Sequence, residues 1–186
     1  MSRKLFENYM VNFFTMYIRP YEFGDKLYSL VGETDGEYLS TVNPLMNIKN
    51  ACTFYGGNLE SRRKGTKLLI NYSRKLPIII EPVSGIYAFC TTSHDNPKGI
   101  WFFYEHIKDY EPVSGRETLV IFHNGQSIIF PVSFTSFKSL MLRTSYLQRV
   151  YMQRVNYSKK QSFYLLNRPN TTKASESSEF YLKNPK

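Results

Sequence analysis

The sequence predicts an α+β fold: a mostly antiparallel, strongly bent sheet or partial β-barrel built from hairpins, with a C-terminal amphipathic helix packed on it. Three observations carry this expectation. Short apolar runs separated by turn residues fill the first three quarters of the chain, as antiparallel strands do. Asn124-Gly125 stands between two such runs, the strongest short-range hairpin signal. Past Pro131 the apolar spacing changes to that of a helix. At 186 residues the chain suits one domain, placed at 1–168, followed by a disordered Ser-rich tail over 169–186.

The elements follow in order. Tyr9 to Ile18 is apolar enough to suggest a weak signal peptide, but Asn12 interrupts it and Arg19-Pro20 replaces a small-residue cleavage site, so a strand is expected there. Leu27–Val31 and Tyr38–Val42 flank an Asp35-Gly36 corner as a hairpin. Asn43-Pro44 breaks the pattern, and apolar residues at 45, 48, 51/52 and 55 fit a short helix. Strands are expected at Thr66–Tyr72, Pro77–Ile80, Ile86–Cys90 and Ile100–Tyr104, with a polar loop at His94–Gly99. Thr118–Phe122 and Gln126–Phe130 surround His123-Asn124-Gly125, where Asn-Gly suits a type I′ turn. Phe137, Leu140, Met141, Leu147, Val150, Tyr151 and Val155 then share one side of a helix, with Ser136 as its expected N-cap. On that wheel Arg143 and Arg154 share a flank, while Lys138 and Arg149 lie opposite the stripe.

Composition excludes several classes. Fifteen Tyr and 14 Phe supply ample area to bury, so the chain is not disordered as a whole. No uncharged apolar stretch reaches the roughly 18 residues of a membrane span, and no membrane partner is expected. Cys52 and Cys90 cannot form a disulfide framework, and a cytoplasmic location is expected, leaving the sequons at Asn71 and Asn170 idle. His94, His106 and His123 sit in no metal-ligand spacing, so the expectation is two buried thiols, surface histidines, no metal and no cofactor. Gly56-Gly57 and Lys64-Gly65-Thr66 come in the wrong order for a phosphate loop, and no nucleophile elbow is present. An enzyme is not expected.

The charge is informative because it is uneven. The net balance is +9. Between Glu60 and Lys75, Arg62, Arg63, Lys64, Lys67, Arg74 and Lys75 stand against Glu60 alone. Between Lys138 and Arg168, Lys138, Arg143, Arg149, Arg154, Lys159, Lys160 and Arg168 meet no acid at all. Two positive segments on a slightly acidic remainder are the footprint of a polyanion binder. Cys52 to Thr66 further combines an aromatic pair, three glycines and three consecutive cations, read either as a contact segment or as a surface turn with core aromatics.

These residues resemble a family. Cys52-x-Phe54-Tyr55-Gly56, Arg62-Arg63-x-Gly65-Thr66, Lys75-x-Pro77-Ile78-x-x-x-Pro82, Phe89-x-Thr91, Trp101, Asn124-Gly125, Pro131-x-Ser133-Phe134-x-Ser136-Phe137 and Arg143-Thr144 occur in the order of the ComK competence transcription factors of Bacillus, Listeria and staphylococci. Weaker similarity reaches Glu7-x-Tyr9-x-Val11-Asn12 and Pro44-Leu45. The resemblance implies a cytoplasmic, nucleoid-associated activator of DNA-uptake genes that binds paired A/T-rich boxes through the minor groove. It further implies a multimer that is delivered to a Clp protease by an adaptor, with no metal and no enzymatic activity. RNA polymerase is a further expected partner of such an activator.

A physical mechanism follows as an expectation. A/T tracts narrow the minor groove and deepen its negative potential, which draws in cations. Arg62, Arg63 and Lys64 are expected at the groove; Arg143, Arg149, Arg154, Lys159 and Lys160 on phosphates; Lys67, Arg74 and Lys75 complete the DNA-binding set. Phe163, Tyr164, Leu165 and Leu166 form an apolar strip, expected either packed on the body as a last strand or helix turn, or serving as the adaptor-docking site. Two rival readings stand beside this one. The same cations with Tyr and Phe platforms suit a single-stranded nucleic-acid binder; a regulatory paralogue without promoter activation would have lost DNA contact.

Overall fold

The computed structural model describes residues 4–167. It is α+β. Ten strands run as β1 (Leu5–Phe6), β2 (Thr15–Phe23), β3 (Lys26–Glu33), β4 (Gly36–Ser40), β5 (Ile78–Glu81), β6 (Ile86–Cys90), β7 (Trp101–Phe103), β8 (Ile107–Ser114), β9 (Glu117–Phe122) and β10 (Ser127–Phe130). The helices are α1 (Pro44–Phe54), α2 (Leu59–Ile70) and α3 (Phe134–Leu166). Seven strands pair in the order β1-β4-β3-β2-β7-β6-β5, and three in the order β10-β9-β8; neither sheet closes into a barrel. Every pairing is antiparallel except β1 with β4. The chain divides into two compact units, Met1–Tyr151 and Met152–Lys186, at a boundary within α3. The expected tail over 169–186 lies outside the described residues.

Within the first unit both faces of the large sheet are covered, which explains why its central strands read as unbroken apolar runs. On one face Ile18, Val31, Ile78, Ile80, Ala88 and Trp101 pack with Ile48, Ala51 and Cys52 of α1 and with Leu59. On the other, Tyr17, Phe89 and Phe102 pack with Phe122 and Phe130 of the small sheet and with Phe137 and Leu140 of α3. Phe102 is the hub: its ring meets Phe130 at 4.7 Å and Phe137 at 5.1 Å, both edge-on. Gly32 is required where β3 passes Tyr17, because a Cβ there would lie 2.2 Å from that ring.

Several expectations are corrected. Thr66–Tyr72 is helix, not strand. Asn58 caps α2, its side chain accepting from the Ser61 amide at 2.8 Å, and Ser61 answers with its own hydroxyl in a capping box. Left-handed Asn71 ends the helix. Burial of Leu59, Thr66 and Ile70 follows a helical spacing that the Leu-Leu-Ile run conceals. The expected strand at 9–18 begins only at Thr15, because the Asn12 side chain accepts from the Phe14 amide and holds a turn there. The β9–β10 turn is not type I′: Gly125 has φ +88, while Asn124 keeps a negative φ. The Gly125 amide donates to the Phe122 carbonyl at 3.0 Å, giving a turn closed by a left-handed glycine. Asn124 is thereby free to donate from Nδ2 to the Thr34 carbonyl, joining two hairpin tips.

α3 starts at Phe134, with Ser133 rather than Ser136 at its cap: the Ser133 carbonyl accepts from the Phe137 amide, and its hydroxyl from the Ser136 amide. The helix also continues past Val155 to Leu166. Both cysteines are buried, as expected, but His94 is buried too, against the expectation of a surface position.

Candidate nucleic-acid interface

The cations of α2 diverge because successive residues of a helix point about 100° apart. Arg62 turns toward α1, where its Nη2 donates to the Tyr55 carbonyl at 2.9 Å, and its Nε is buried without a partner. Arg63 lies on the opposite flank between Glu60 and Asp95, 3.5 Å from each carboxylate. Lys64 reaches toward Glu60 at 3.9 Å and stays largely in solvent. Lys67 is exposed in the last turn, where the helix dipole favours a cation. The three consecutive cations therefore do not present one continuous ridge.

The loop after α2 carries Arg74 and Lys75, both exposed, with Lys75 in the left-handed region at φ +47. His94 anchors this loop. Its Nε2 donates to the Leu76 carbonyl at 2.5 Å while its ring packs edge-on against Trp101. Burial pushes the His94 imidazole below its ordinary pKa, against the opposing pull of the Leu76 carbonyl.

Arg143 of α3 meets the same loop. Its Nη1 donates to the Arg74 carbonyl at 2.7 Å, and its guanidinium lies 4.7 Å from the Tyr72 ring centre. Beneath this junction Leu69 and Ile70 pack with Leu147, Val150 and Tyr151 around Ile79 and Tyr87. Arg149, two turns on, lies 5.2 Å over the Tyr146 ring. The middle and late basic segments thus meet within the first unit, through Arg74 and Arg143.

Arg154, Lys159 and Lys160 belong to the second unit, where each is exposed on α3. Phe163, Tyr164, Leu165 and Leu166 form the last turn of α3 and are 67–85% exposed.

Sequence reasoning missed four contributors: Tyr72 and Tyr146, which carry arginine side chains on their rings, Asp95, which pairs with Arg63, and His94, which pins the loop. Only Tyr146 had a legible signal, three residues before Arg149 on one helix face. Among the described residues no cluster of His, Cys, Asp or Glu suits a metal ion. No described helix is long and apolar enough to cross a membrane.

Comparison with known proteins agrees with the collinear motifs. The ComK protein family matches residues 6–156. The chain belongs to the ComK family. A competence transcription factor of Bacillus subtilis (strain 168) is 30% identical over 169 residues, covering 90% of this chain and 88% of that protein. ComK proteins are competence transcription regulators and not enzymes. No solved structure matches this chain.

Proposed function

We propose that this ComK-family chain is a cytoplasmic, nucleoid-associated activator of DNA-uptake genes that binds A/T-rich boxes in duplex DNA through the minor groove. The observation that carries the reading is the junction of Arg143 with Tyr72 and the Arg74 carbonyl, which joins the two basic segments into one surface. Such a surface suits phosphates spaced along one duplex better than scattered anions. In this reading Lys64, Lys67, Arg74, Lys75, Arg143 and Arg149 form its body. Arg154, Lys159 and Lys160 extend the phosphate contacts.

Arg63 enters the groove by exchanging its ion pairs with Glu60 and Asp95, a small cost because exposed pairs contribute about 0–1 kcal/mol. Arg62 braces the α1–α2 turn and presents its unused donors beside it. A multimer supplies the two-fold symmetry of paired boxes. The exposed turn Phe163-Tyr164-Leu165-Leu166 serves as the docking strip for a Clp-protease adaptor, and RNA polymerase is the partner in activation.

The test is fluorescence anisotropy on duplex bearing two spaced A/T boxes, with a scrambled duplex and a single-stranded A/T-rich competitor. With about six phosphates neutralised, the log–log salt slope is about −5, and affinity falls about a thousandfold between 50 and 200 mM salt. Arg62→Ala with Arg63→Ala should relax the preference for the A/T boxes. Equal losses on A/T-rich and G/C-rich duplex would place both arginines on phosphates, and preferential displacement by the single strand would overturn duplex recognition.

A further inference from the structure

A cleft of about 290 Å3 opens beside α2 within the first unit. One stripe of α2, comprising Arg62, Gly65, Thr66 and Leu69, forms a wall, and Ile79, Pro82 and the Tyr151 ring face it. The lining is largely apolar, and Arg62 is its one charged residue. On the helix this stripe is turned away from Lys64 and Lys67, and of the cations proposed to meet DNA it includes Arg62 alone.

Two features of this wall are unexplained by the fold: the bare Gly65 and the unpartnered Arg62 Nε. Gly65 sits inside a helix, where glycine is less stable than alanine. Its φ is not positive, and a Cβ built on it meets nothing within 4 Å. Neither backbone nor packing requires a bare position; what a side chain there would occupy is the cleft. Thr66, beside it, is only 2% exposed and lines the cleft. The Arg62 Nε of the same wall is buried with no hydrogen-bond partner, a state that destabilises a fold unless something outside the chain satisfies it.

We infer that this cleft is a binding site for a small organic anion, an apolar or aromatic body carrying one carboxylate, sulfonate or phosphate group. Leu69, Ile79, Pro82 and Tyr151 take the body. Thr66 supplies a hydroxyl, and Arg62 the fixed positive charge. The volume lies near the lower end of small-molecule pockets, about 300 Å3, and suits one or two rings rather than a peptide. Gly65 lets such a body lie directly on the helix backbone.

The test uses 1-anilinonaphthalene-8-sulfonate, an aromatic sulfonate, titrated by fluorescence into the full-length chain without DNA. The expected result is saturable binding of one molecule per chain, weakened at least about tenfold by Gly65→Leu and about threefold or more by Thr66→Val. Gly65→Leu should keep its thermal midpoint at or above that of the parent, since the new side chain enters open space and favours helix. Thr66→Val preserves shape and serves if the larger residue disturbs folding. Leu68→Glu, which removes an exposed apolar side chain on the other face of α2, should leave the titration unchanged. Non-saturating binding, insensitivity to both cleft variants, or loss in Leu68→Glu would overturn the site. The readout does not involve DNA, so it stands or falls apart from the proposed function.

Discussion

Along α3, the turns up to Tyr151 bury Phe137, Leu140, Thr144 and Leu147, whereas from Met152 onward only Val155 is even half-buried. Both stretches are basic, free of acids and rich in apolar residues, so composition does not distinguish them. What differs is the apolar pattern. Phe137, Leu140, Thr144 and Leu147 recur on one side at three- and four-residue steps and meet two sheets. In the later stretch Ser158 and Ser162 occupy the continuation of that side, and Phe163 to Leu166 are consecutive and so point around the helix. The early stretch is held by the core of its unit. The late one offers its apolar turn and its cations to solvent.

The sharpest way to break this comparison is by stability. Phe137→Ala should cost about 3–5 kcal/mol in urea unfolding, because the ring fills the space beside Phe102 and Phe89. Phe163→Ser and Leu166→Ser should each stay within about 0.5 kcal/mol. A core-sized loss from either would show the last turn to be buried in the free protein.

Duplex binding comes next. Arg143→Ala should weaken it about tenfold, since the side chain both contributes charge and holds the Arg74 loop. Lys160→Ala, which removes only a solvent-held charge, should cost about threefold, and each variant should reduce the salt slope by about 1. Equal losses would mean that the junction adds nothing beyond its charge.

The loop itself gives a smaller effect of mixed sign. Lys75→Gly should relieve a left-handed backbone worth about 1 kcal/mol, partly offset by the greater freedom of glycine in the unfolded chain. It should nevertheless weaken DNA retention about threefold through the lost charge. Calorimetry and anisotropy on the same sample separate the two.

The smallest effect is with pH. His94 has its folded pKa depressed by burial below the ordinary 6.5, so the unfolded chain binds the proton more readily. Its contribution to stability is full above about pH 6.5 and is lost as pH falls from there toward the folded value. His106, also lowered by burial, acts in the same direction. Urea midpoints at pH 7.5 and 5.5 should therefore differ, and His94→Gln should remove part of that difference. An undiminished difference would assign the effect elsewhere.

Much of the architecture was legible because local chemistry and tertiary packing agreed. Asn43-Pro44 opens a helix, Asp35-Gly36 closes a hairpin, and 86–90 and 100–104 read as strands because both of their faces are apolar. Where two local signals competed, the weaker-looking one prevailed. In α2 the capping box and the charged helix formers outweighed the Leu-Leu-Ile run, so an expected strand became a helix. The candidate site was legible as a list of cations but not as a surface. Nothing local in the sequence states that Arg62 is turned to the Tyr55 carbonyl, that Asp95 lies beside Arg63, or that Arg143 crosses to the Arg74 loop. These partners are separated by 7, 32 and 69 positions respectively.

By itself, the sequence determined the class of fold, the family and the two basic segments, because periodicity, turn chemistry and net charge are properties of neighbouring residues. The tertiary structure decided which cations are turned outward, which are braced or paired, and that an empty glycine position and an unpartnered arginine nitrogen share one cleft. Those outcomes depend on which side chains distant in the chain come within hydrogen-bond or van der Waals reach, and only packing sets that distance.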